Sequence, residues 1–128
     1  MNKKVLIITD GTESIQPIAR LISDALSGFK VKICTAEKFK GTDILPAGAF
    51  FIGCEKPNPP SFEYLEKILS HINLASRPCG VFSVKEKPLK YLCKIIKDSE
   101  ADNLEPLLVS NGKIKKSAVE KWLKKIIN

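Results

Sequence analysis

The chain has 128 residues, of which 44% are hydrophobic and 27% charged, and its formal net charge is +7. This composition is typical of a globular protein and excludes an intrinsically disordered chain, and the length predicts a single domain over residues 1–128. No apolar run approaches the roughly 18 residues of a membrane span, and strand-like sequence follows Met1 where a signal peptide would lie. We therefore expect a cytoplasmic protein that does not enter a membrane.

The positive charge comes mainly from lysines in the predicted helices, with the densest run in KIKKSAVEKWLKK near the end of the chain. Aromatic residues do not alternate with these lysines as a stacking surface for bases would require, so we expect no nucleic acid partner. Two interpretations remain. The lysines form a solvated basic face, or they attract an acidic protein partner.

Apolar runs typical of strands alternate with helical patterns from the start of the chain. KVLIIT predicts the first strand, and a helix follows over about residues 14–26, with Pro17 in its first turn and Gly28 after its end. KVKICT predicts the second strand. A looser stretch, AEKFKGTDILPAG, leads to the third, AFFIGC.

The second half of the chain continues this alternation. Ser61 predicts the N-cap of a helix with an apolar stripe, and after the fourth strand, CGVFSV, Pro88 predicts the start of another helix. PLLVS predicts the fifth strand. Ser117 and Glu120 have the spacing of a capping box at the start of the last helix. The apolar residues assigned to the two helix stripes and to the last helix are Phe62, Leu65, Ile68, Leu69, Ile72, Leu89, Leu92, Cys93, Ile96, Val119, Trp122, Leu123 and Ile126.

Five strands separated by helices predict an α/β fold with a parallel sheet and right-handed crossovers. Four of the strands are nearly continuous apolar runs, as expected when helices cover both faces, whereas lysines interrupt the second strand and favour a sheet edge. The pattern predicts a five-stranded doubly wound parallel sheet of order 2-1-3-4-5. A ligand is then expected at the carboxyl ends of the first and third strands.

Three turns follow strands at that edge: TDGTES, CEKPNPP and SVKEKP. The first offers the hydroxyls of Thr9, Thr12 and Ser14, the backbone freedom of Gly11, and the N–H groups of a helix start. Such a turn can hold a phosphate. Capping of the helix by Thr12 or Ser14 is the alternative explanation of the same residues.

The sequence resembles the flavodoxin family over nearly its full length. KVLIITDGTESIQPIARLISDAL is similar to that family's first strand, phosphate loop and first helix, and AFFIGCEKPNPPSFEYLEKIL to its third strand, a proline-containing loop and the next helix. EPLLVSNGKIKKSAVEKWLKKI is similar to its last strand and its tryptophan-bearing last helix.

The resemblance implies a non-catalytic carrier of single electrons that uses FMN and a redox partner protein. The phosphate would lie in the first turn and the flavin ring near the second and third turns. Backbone groups of those two turns would tune the flavin. The cofactor-binding residues implied are Thr9, Asp10, Gly11, Thr12, Glu13, Ser14, Cys54, Glu55, Lys56, Pro57, Asn58, Ser83, Val84, Lys85 and Glu86.

The sequence also departs from the family pattern. The first turn is one residue shorter and contains Glu13, whose carboxylate could satisfy the helix N-terminus and would repel a phosphate, and Asp10 adds a second negative charge. The second and third turns contain no aromatic residue to stack on a flavin. Phe62 and Tyr91 are the nearest aromatic residues, and the position of Phe62 on an apolar stripe predicts that it lies in the core.

Other proteins of this architecture lack support in the sequence. A response-regulator receiver needs a phosphoryl-accepting aspartate at the end of the third strand, where Gly53 and Cys54 stand, and a phosphatase of this architecture needs a cysteine where Asp10 stands. The four cysteines show no metal-binding spacing, and we expect structural thiols. Cys54 is the one candidate for a reactive thiol. His71 is expected on the outer side of its helix, without a catalytic role.

Two hypotheses of function therefore stay open. The first is an FMN-dependent electron carrier. The second is a flavin-free relative that binds a protein, which the positive charge predicts to be acidic, or a small ligand at the carboxyl edge of the sheet.

Overall fold

The computed structural model describes residues 4–75, 77–103, 106–109 and 115–127. Within them, strands of one sheet alternate with helices. The strands are β1 (Lys4–Thr9), β2 (Lys30–Thr35), β3 (Ala49–Gly53), β4 (Pro78–Ser83), β5 (Asp102–Asn103) and β6 (Leu107–Leu108). The helices are α1 (Gln16–Ala25), α2 (Gly41–Ile44), α3 (Glu63–His71), α4 (Glu86–Lys97) and α5 (Lys116–Ile126). The short α2 lies inside the stretch that showed no clear pattern in the sequence.

The sheet is parallel and its strand order is β2-β1-β3-β4-β5, which confirms the predicted order 2-1-3-4-5. The position beside β4 at the edge of the sheet differs from the prediction. β5 pairs with the start of β4 and β6 pairs with its end, so two short segments stand where the sequence predicted one strand. Ser110, the last residue of that predicted strand, lies outside the described residues.

Two apolar cores lie on opposite faces of the sheet because neighbouring residues of a strand point to opposite sides. Ile7 and Phe51 belong to the core under α1 and α5, and Leu6 and Phe50 belong to the core under α3 and α4. The central strands β1, β3 and β4 are covered on both faces, which explains their continuous apolar sequence. β2 is partly exposed and forms the edge that its lysines predicted.

Apolar packing, and not side-chain capping, sets where the four long helices begin. The predicted cap at Ser61 is wrong, because Ser61 lies in a short 3₁₀ turn (Pro60–Phe62) that precedes α3. The predicted capping box at Ser117 is also wrong, because Ser117 lies inside α5 and Lys115 occupies the N-cap without a side-chain hydrogen bond. The inward face of α5 is nevertheless the predicted one.

The remaining helix boundaries shift by two residues. α1 begins at Gln16, with Pro17 in its first turn as predicted, and α4 begins at Glu86 with Pro88 as its third residue. In the described part of the chain, no helix has the length and apolarity needed to cross a membrane.

Gly80, in the middle of β4, lies where α5 packs closely against the sheet. A Cβ built on this residue would lie 2.7 Å from a ring carbon of Phe51, 2.7 Å from one of Trp122, and 2.8 Å from Ile126 Cδ1. The rings of Phe51 and Trp122 also pack against each other, with centroids 5.5 Å apart. Only glycine therefore lets α5 approach the sheet this closely.

We expect Gly80→Ala to lower the free energy of unfolding by about 1–3 kcal/mol, because the new methyl group overpacks this core. Gly28→Ala is the matched control, since no atom would lie within 4 Å of its new Cβ. Urea denaturation of both variants measures the difference. Equal stability of Gly80→Ala and the wild type would contradict the packing described.

Candidate functional site

The register of the sheet brings the three predicted turns together. Thr9 at the end of β1 pairs with Gly53 at the end of β3, and Gly53 pairs with Phe82 near the end of β4. The first turn (residues 9–14), the second turn (residues 54–58) and the third turn (residues 83–86) therefore leave the same edge side by side. Their described residues can act as one site.

The first turn has the backbone of a compact anion-binding bend. Gly11 has a φ of 78°, in the left-handed region that favours glycine, and its N–H donates to Thr9 Oγ1 at 3.2 Å. The amides of Ile15 and Gln16 donate to the carbonyl of Thr12 and turn the chain into α1. The turn therefore directs N–H groups and hydroxyls toward the sheet edge.

Asp10 supplies the anion at this bend. Its Oδ1 accepts hydrogen bonds from the amide of Thr12 at 3.1 Å and from Thr12 Oγ1 at 2.7 Å. Its Oδ2 accepts from the amide of Glu55 at 2.8 Å. Three donors thus converge on one half-buried carboxylate, an arrangement that hydrogen bonding to a charged acceptor stabilises strongly.

Glu55 completes the bridge between the first and second turns. Ser14 Oγ donates to Glu55 Oε2 at 2.5 Å, across 41 residues of sequence. The two turns are therefore joined at two points, through the Asp10 carboxylate and through the Glu55 carboxylate. Of the three hydroxyls that the sequence offered for a phosphate, those of Thr12 and Ser14 are hydrogen-bonded to carboxylates of this chain, and that of Thr9 accepts from the amide of Gly11.

The predicted capping of α1 by Glu13 is wrong. Glu13 is exposed, and α1 has Ile15 at its N-cap with no side-chain hydrogen bond, so neither Glu13, Thr12 nor Ser14 caps the helix. The carboxylates that occupy the turn's donors are those of Asp10 and Glu55. Sequence reasoning counted Asp10 only as a second negative charge and placed Glu55 in the ring-binding loop.

The second and third turns are also joined to each other. The buried Ser83 donates from its Oγ to the carbonyl of Cys54 at 2.6 Å, and the amide of Lys85 donates to Ser83 Oγ at 3.4 Å. Val84 is half-buried. The residues that remain exposed in these two turns are Lys56, Pro57, Asn58, Lys85 and Glu86.

Cys54 is buried, so the hypothesis of a reactive thiol at this position is wrong. Burial, together with the nearby charge of Asp10, raises the pKa of the Cys54 thiol to about 12. Such a thiol stays protonated at neutral pH and is a poor nucleophile. His71 is exposed, as expected, and its Nδ1 lies 2.9 Å from Ser70 Oγ and 2.8 Å from the carbonyl of Lys67.

The nearest aromatic residues lie outside the three turns. Phe62 is fully buried, as predicted, and its ring centroid is 6.4 Å from that of Tyr91. The Tyr91 hydroxyl donates to Glu66 Oε1 at 2.6 Å, and burial together with this bond raises the pKa of Tyr91. Both side chains are held between α3 and α4, so neither lies in the turns where a flavin ring is expected.

The larger cavities of the described structure lie away from the first turn. One of about 590 Å³ runs between α3 and α4 and reaches the second turn only at Asn58. Others, of about 400 and 510 Å³, border α2. None of these three is lined by a residue of the first or third turn. Among the described residues, no cluster of three metal-binding side chains occurs.

No protein-family model matches this chain, and no curated protein sequence matches it. Several solved structures are similar to it. A short-chain flavodoxin associated with a PDU bacterial microcompartment is 12% identical with a TM-score of 0.85, over 99% of this chain and 97% of that chain. The flavodoxin of Streptococcus pneumonia TIGR4 is 15% identical with a TM-score of 0.81, over 96% of each chain.

Flavodoxin 2 from Bacillus cereus is also similar, with 19% identity and a TM-score of 0.78 over 97% of this chain and 95% of that chain. At these identities the likeness shows the fold alone. This chain has a flavodoxin-like fold, and the family resemblance seen in the sequence is confirmed at that level.

The residues present do not fit the FMN that this fold implies. Three of the donors expected to bind the phosphate, the amide and hydroxyl of Thr12 and the hydroxyl of Ser14, are hydrogen-bonded to Asp10 and Glu55, and those two carboxylates would repel a phosphate dianion at the same place. The second and third turns contain no aromatic side chain for the ring. In this geometry the anion bound at the bend is a carboxylate of the chain itself, that of Asp10.

We expect Cys54 and Cys79, which are buried, to react with iodoacetamide at pH 8 much more slowly than the half-buried Cys34 and Cys93. The reason is that burial holds both thiols in the protonated form. Peptide mass spectrometry after timed labelling measures each rate, and labelling in denaturant is the control that equalises them. Labelling of native Cys54 as fast as Cys34 would contradict its position.

Proposed function

We propose that this chain is a flavin-free protein of flavodoxin-like fold that binds an acidic protein partner at the carboxyl edge of its sheet. The observation that carries the proposal is the Asp10 carboxylate, which accepts the three donors of the first and second turns. An edge that is closed to phosphate in this way is available for contact with a protein.

The exposed residues of this edge support a protein partner. Lys56 and Lys85 are exposed in the second and third turns, and neither makes an ion pair within the described part of the chain. Leu108 pairs with Ser83 beside the third turn. Its side chain is 40% exposed, and few large apolar side chains in the described part of the chain are as exposed. The exposed residues of the three turns carry both signs, Lys56 and Lys85 beside Glu13 and Glu86, so the charge that favours an acidic partner is the net +7 of the whole chain.

A second function, the FMN-dependent electron carrier, is favoured by one observation. The similar structures are flavodoxins, and the alignments cover nearly the whole of both chains. In that case FMN would have to displace Asp10 from the donors of Thr12 and Glu55. The two functions therefore differ in whether the first turn can open.

We expect the purified protein to be colourless and its melting temperature to be unchanged by FMN. A ligand that binds only the folded state stabilises it by about 2.7 kcal/mol when present at about 100 times its Kd, so even micromolar binding would be visible as a rise of several degrees. Absorbance spectra and thermal denaturation over a range of FMN concentrations measure this. A yellow protein, or a melting temperature that climbs with FMN, would instead establish the electron carrier.

We expect Asp10→Ala to destabilise the protein by about 1–3 kcal/mol, because it leaves the donors of Thr12 and Glu55 without their acceptor. Inorganic phosphate should then restore part of the lost stability by occupying the vacated position. Thermal denaturation with and without phosphate measures both effects.

Glu13→Ser is the matched control, since Glu13 is an exposed carboxylate of the same turn. We expect it to be as stable as the wild type and to show no greater response to phosphate. If both variants responded equally to phosphate, or if Asp10→Ala lost no stability, Asp10 would not be the internal anion.

A further inference from the structure

One face of α4 carries four exposed lysines in a single row: Lys87, Lys90, Lys94 and Lys97. They are three, four and three residues apart, so the helical repeat places them on one stripe about 15 Å long. The buried residues of α4, among them Leu92 and Ile96, lie on the opposite side. We call these four residues the α4 lysine stripe.

The stability of α4 explains only part of this stripe, because Lys94 and Lys97 lie in its last turn, where the helix dipole favours cations, and Lys87 and Lys90 do not. Like charges three or four residues apart on a helix repel each other, by about 0.2–0.5 kcal/mol for each pair. Lys87 lies in the first turn of α4 and Lys85 at its N-cap, where the positive end of the helix dipole disfavours cations. Within the described residues, none of the four stripe lysines makes an ion pair.

The other long helices distribute their charges differently. In α3, Lys67 pairs with Glu63 at 3.7 Å, one turn away. In α1, Arg20 is followed four residues later by Asp24. α5 is also basic, with Lys124 and Lys125 in its last turn, where the helix dipole favours them as it favours Lys94 and Lys97 of α4. Glu86 stands four residues before Lys90 and Asp98 four residues after Lys94, but neither forms an ion pair in the described part of the chain, so the stripe lysines remain available to an acid of another molecule.

We infer that the α4 lysine stripe is the docking surface for an acidic α-helix of another protein. This inference rests on the proposed function, because it specifies the acidic partner and extends its contact from the third turn along α4, which begins there. A second helix lying along α4 rises by the same distance per residue, so carboxylates spaced three and four residues apart can each meet one lysine. Such contacts would relieve the repulsion within the stripe.

The charges at the two ends of the stripe favour a short protein helix over a nucleic acid. Glu86 precedes the stripe and Asp98 follows it, and both are exposed. They would repel a phosphate backbone that continues past the stripe, whereas a protein helix can end there or present cations. The face also lacks arginine, the residue best suited to phosphate, and none of its four stripe residues is aromatic.

The test is a titration of the ¹⁵N-labelled full chain, followed by NMR. The probe is an alanine-based helical peptide whose four glutamates repeat the spacing of the α4 lysine stripe. The control peptide carries glutamine at those four positions. We expect the amide shifts of α4 to change with the glutamate peptide, the change to weaken with added salt, and the glutamine peptide to have no effect.

Two variants that each lose four charges separate this surface from general attraction. The α4 variant replaces Lys87, Lys90, Lys94 and Lys97 by glutamine, and the α5 variant replaces Lys115, Lys116, Lys121 and Lys124. All eight residues are exposed, and circular dichroism checks that both variants fold. We expect the α4 variant to bind the peptide about tenfold or more weakly and the α5 variant to bind nearly as well as the wild type.

Three results would overturn the inference. They are an absence of α4 shifts at millimolar peptide, an equal loss of binding in the α5 variant, and tighter binding of a single-stranded DNA of matched charge to the same stripe. None of these measurements involves flavin. A failure of the peptide to bind α4 would therefore not contradict the hydrogen bonds of the first turn. Binding of FMN to the wild type would in turn not contradict binding of the peptide.

Discussion

The Asp10 carboxylate is the interaction on which the carboxyl edge of this sheet depends. It receives two donors from Thr12 within its own turn and one from the amide of Glu55 beyond the neighbouring strand, and so fastens the ends of β1 and β3 together. A free anion has to give up translational freedom to bind at such a bend, whereas a carboxylate of the chain is present at a very high effective concentration. An external phosphate must therefore compete with the Asp10 carboxylate, which is covalently part of the chain.

This fastening shapes the rest of the edge. With the second turn drawn against the first, Cys54 is buried and the third turn is held to its carbonyl by Ser83. The exposed charged residues of the three turns are Lys56, Lys85, Glu13 and Glu86, and the α4 lysine stripe begins directly after the third turn. A fold whose similar structures are flavodoxins thus presents a first turn bound by its own carboxylate, and this turn together with the net charge of +7 is the physical basis for proposing an acidic protein partner in place of a nucleotide.

The fold was predictable because it follows from burial. β1 and β2 match KVLIIT and KVKICT residue for residue, and the apolar runs of β3 and β4 predicted their central positions. Helix starts were less predictable, since Ser61 and Ser117 have the chemistry of caps but the packing of Phe62 and Val119 places the helices differently. Local sequence cannot weigh a cap of about 1 kcal/mol against tertiary packing.

The position of the site could be predicted from the sequence, but its hydrogen bonds could not. Parallel strand order alone put the three turns side by side, so the residues that meet at the edge followed from the sequence. Which carboxylate would occupy the bend did not, because the amide of Glu55 that helps to hold Asp10 lies 45 residues away along the chain. Glu13 is closer to α1 along the chain, and the prediction that its carboxylate satisfies the helix N-terminus is wrong.

The most direct measurement is the through-hydrogen-bond scalar coupling between the amide nitrogen of Glu55 and the carboxyl carbon of Asp10, recorded by long-range HNCO NMR. A structure in which Asp10 is the internal anion predicts a detectable coupling and slow hydrogen exchange of the Glu55 amide. An absent coupling together with rapid exchange would show that the first turn is open, and would contradict the account.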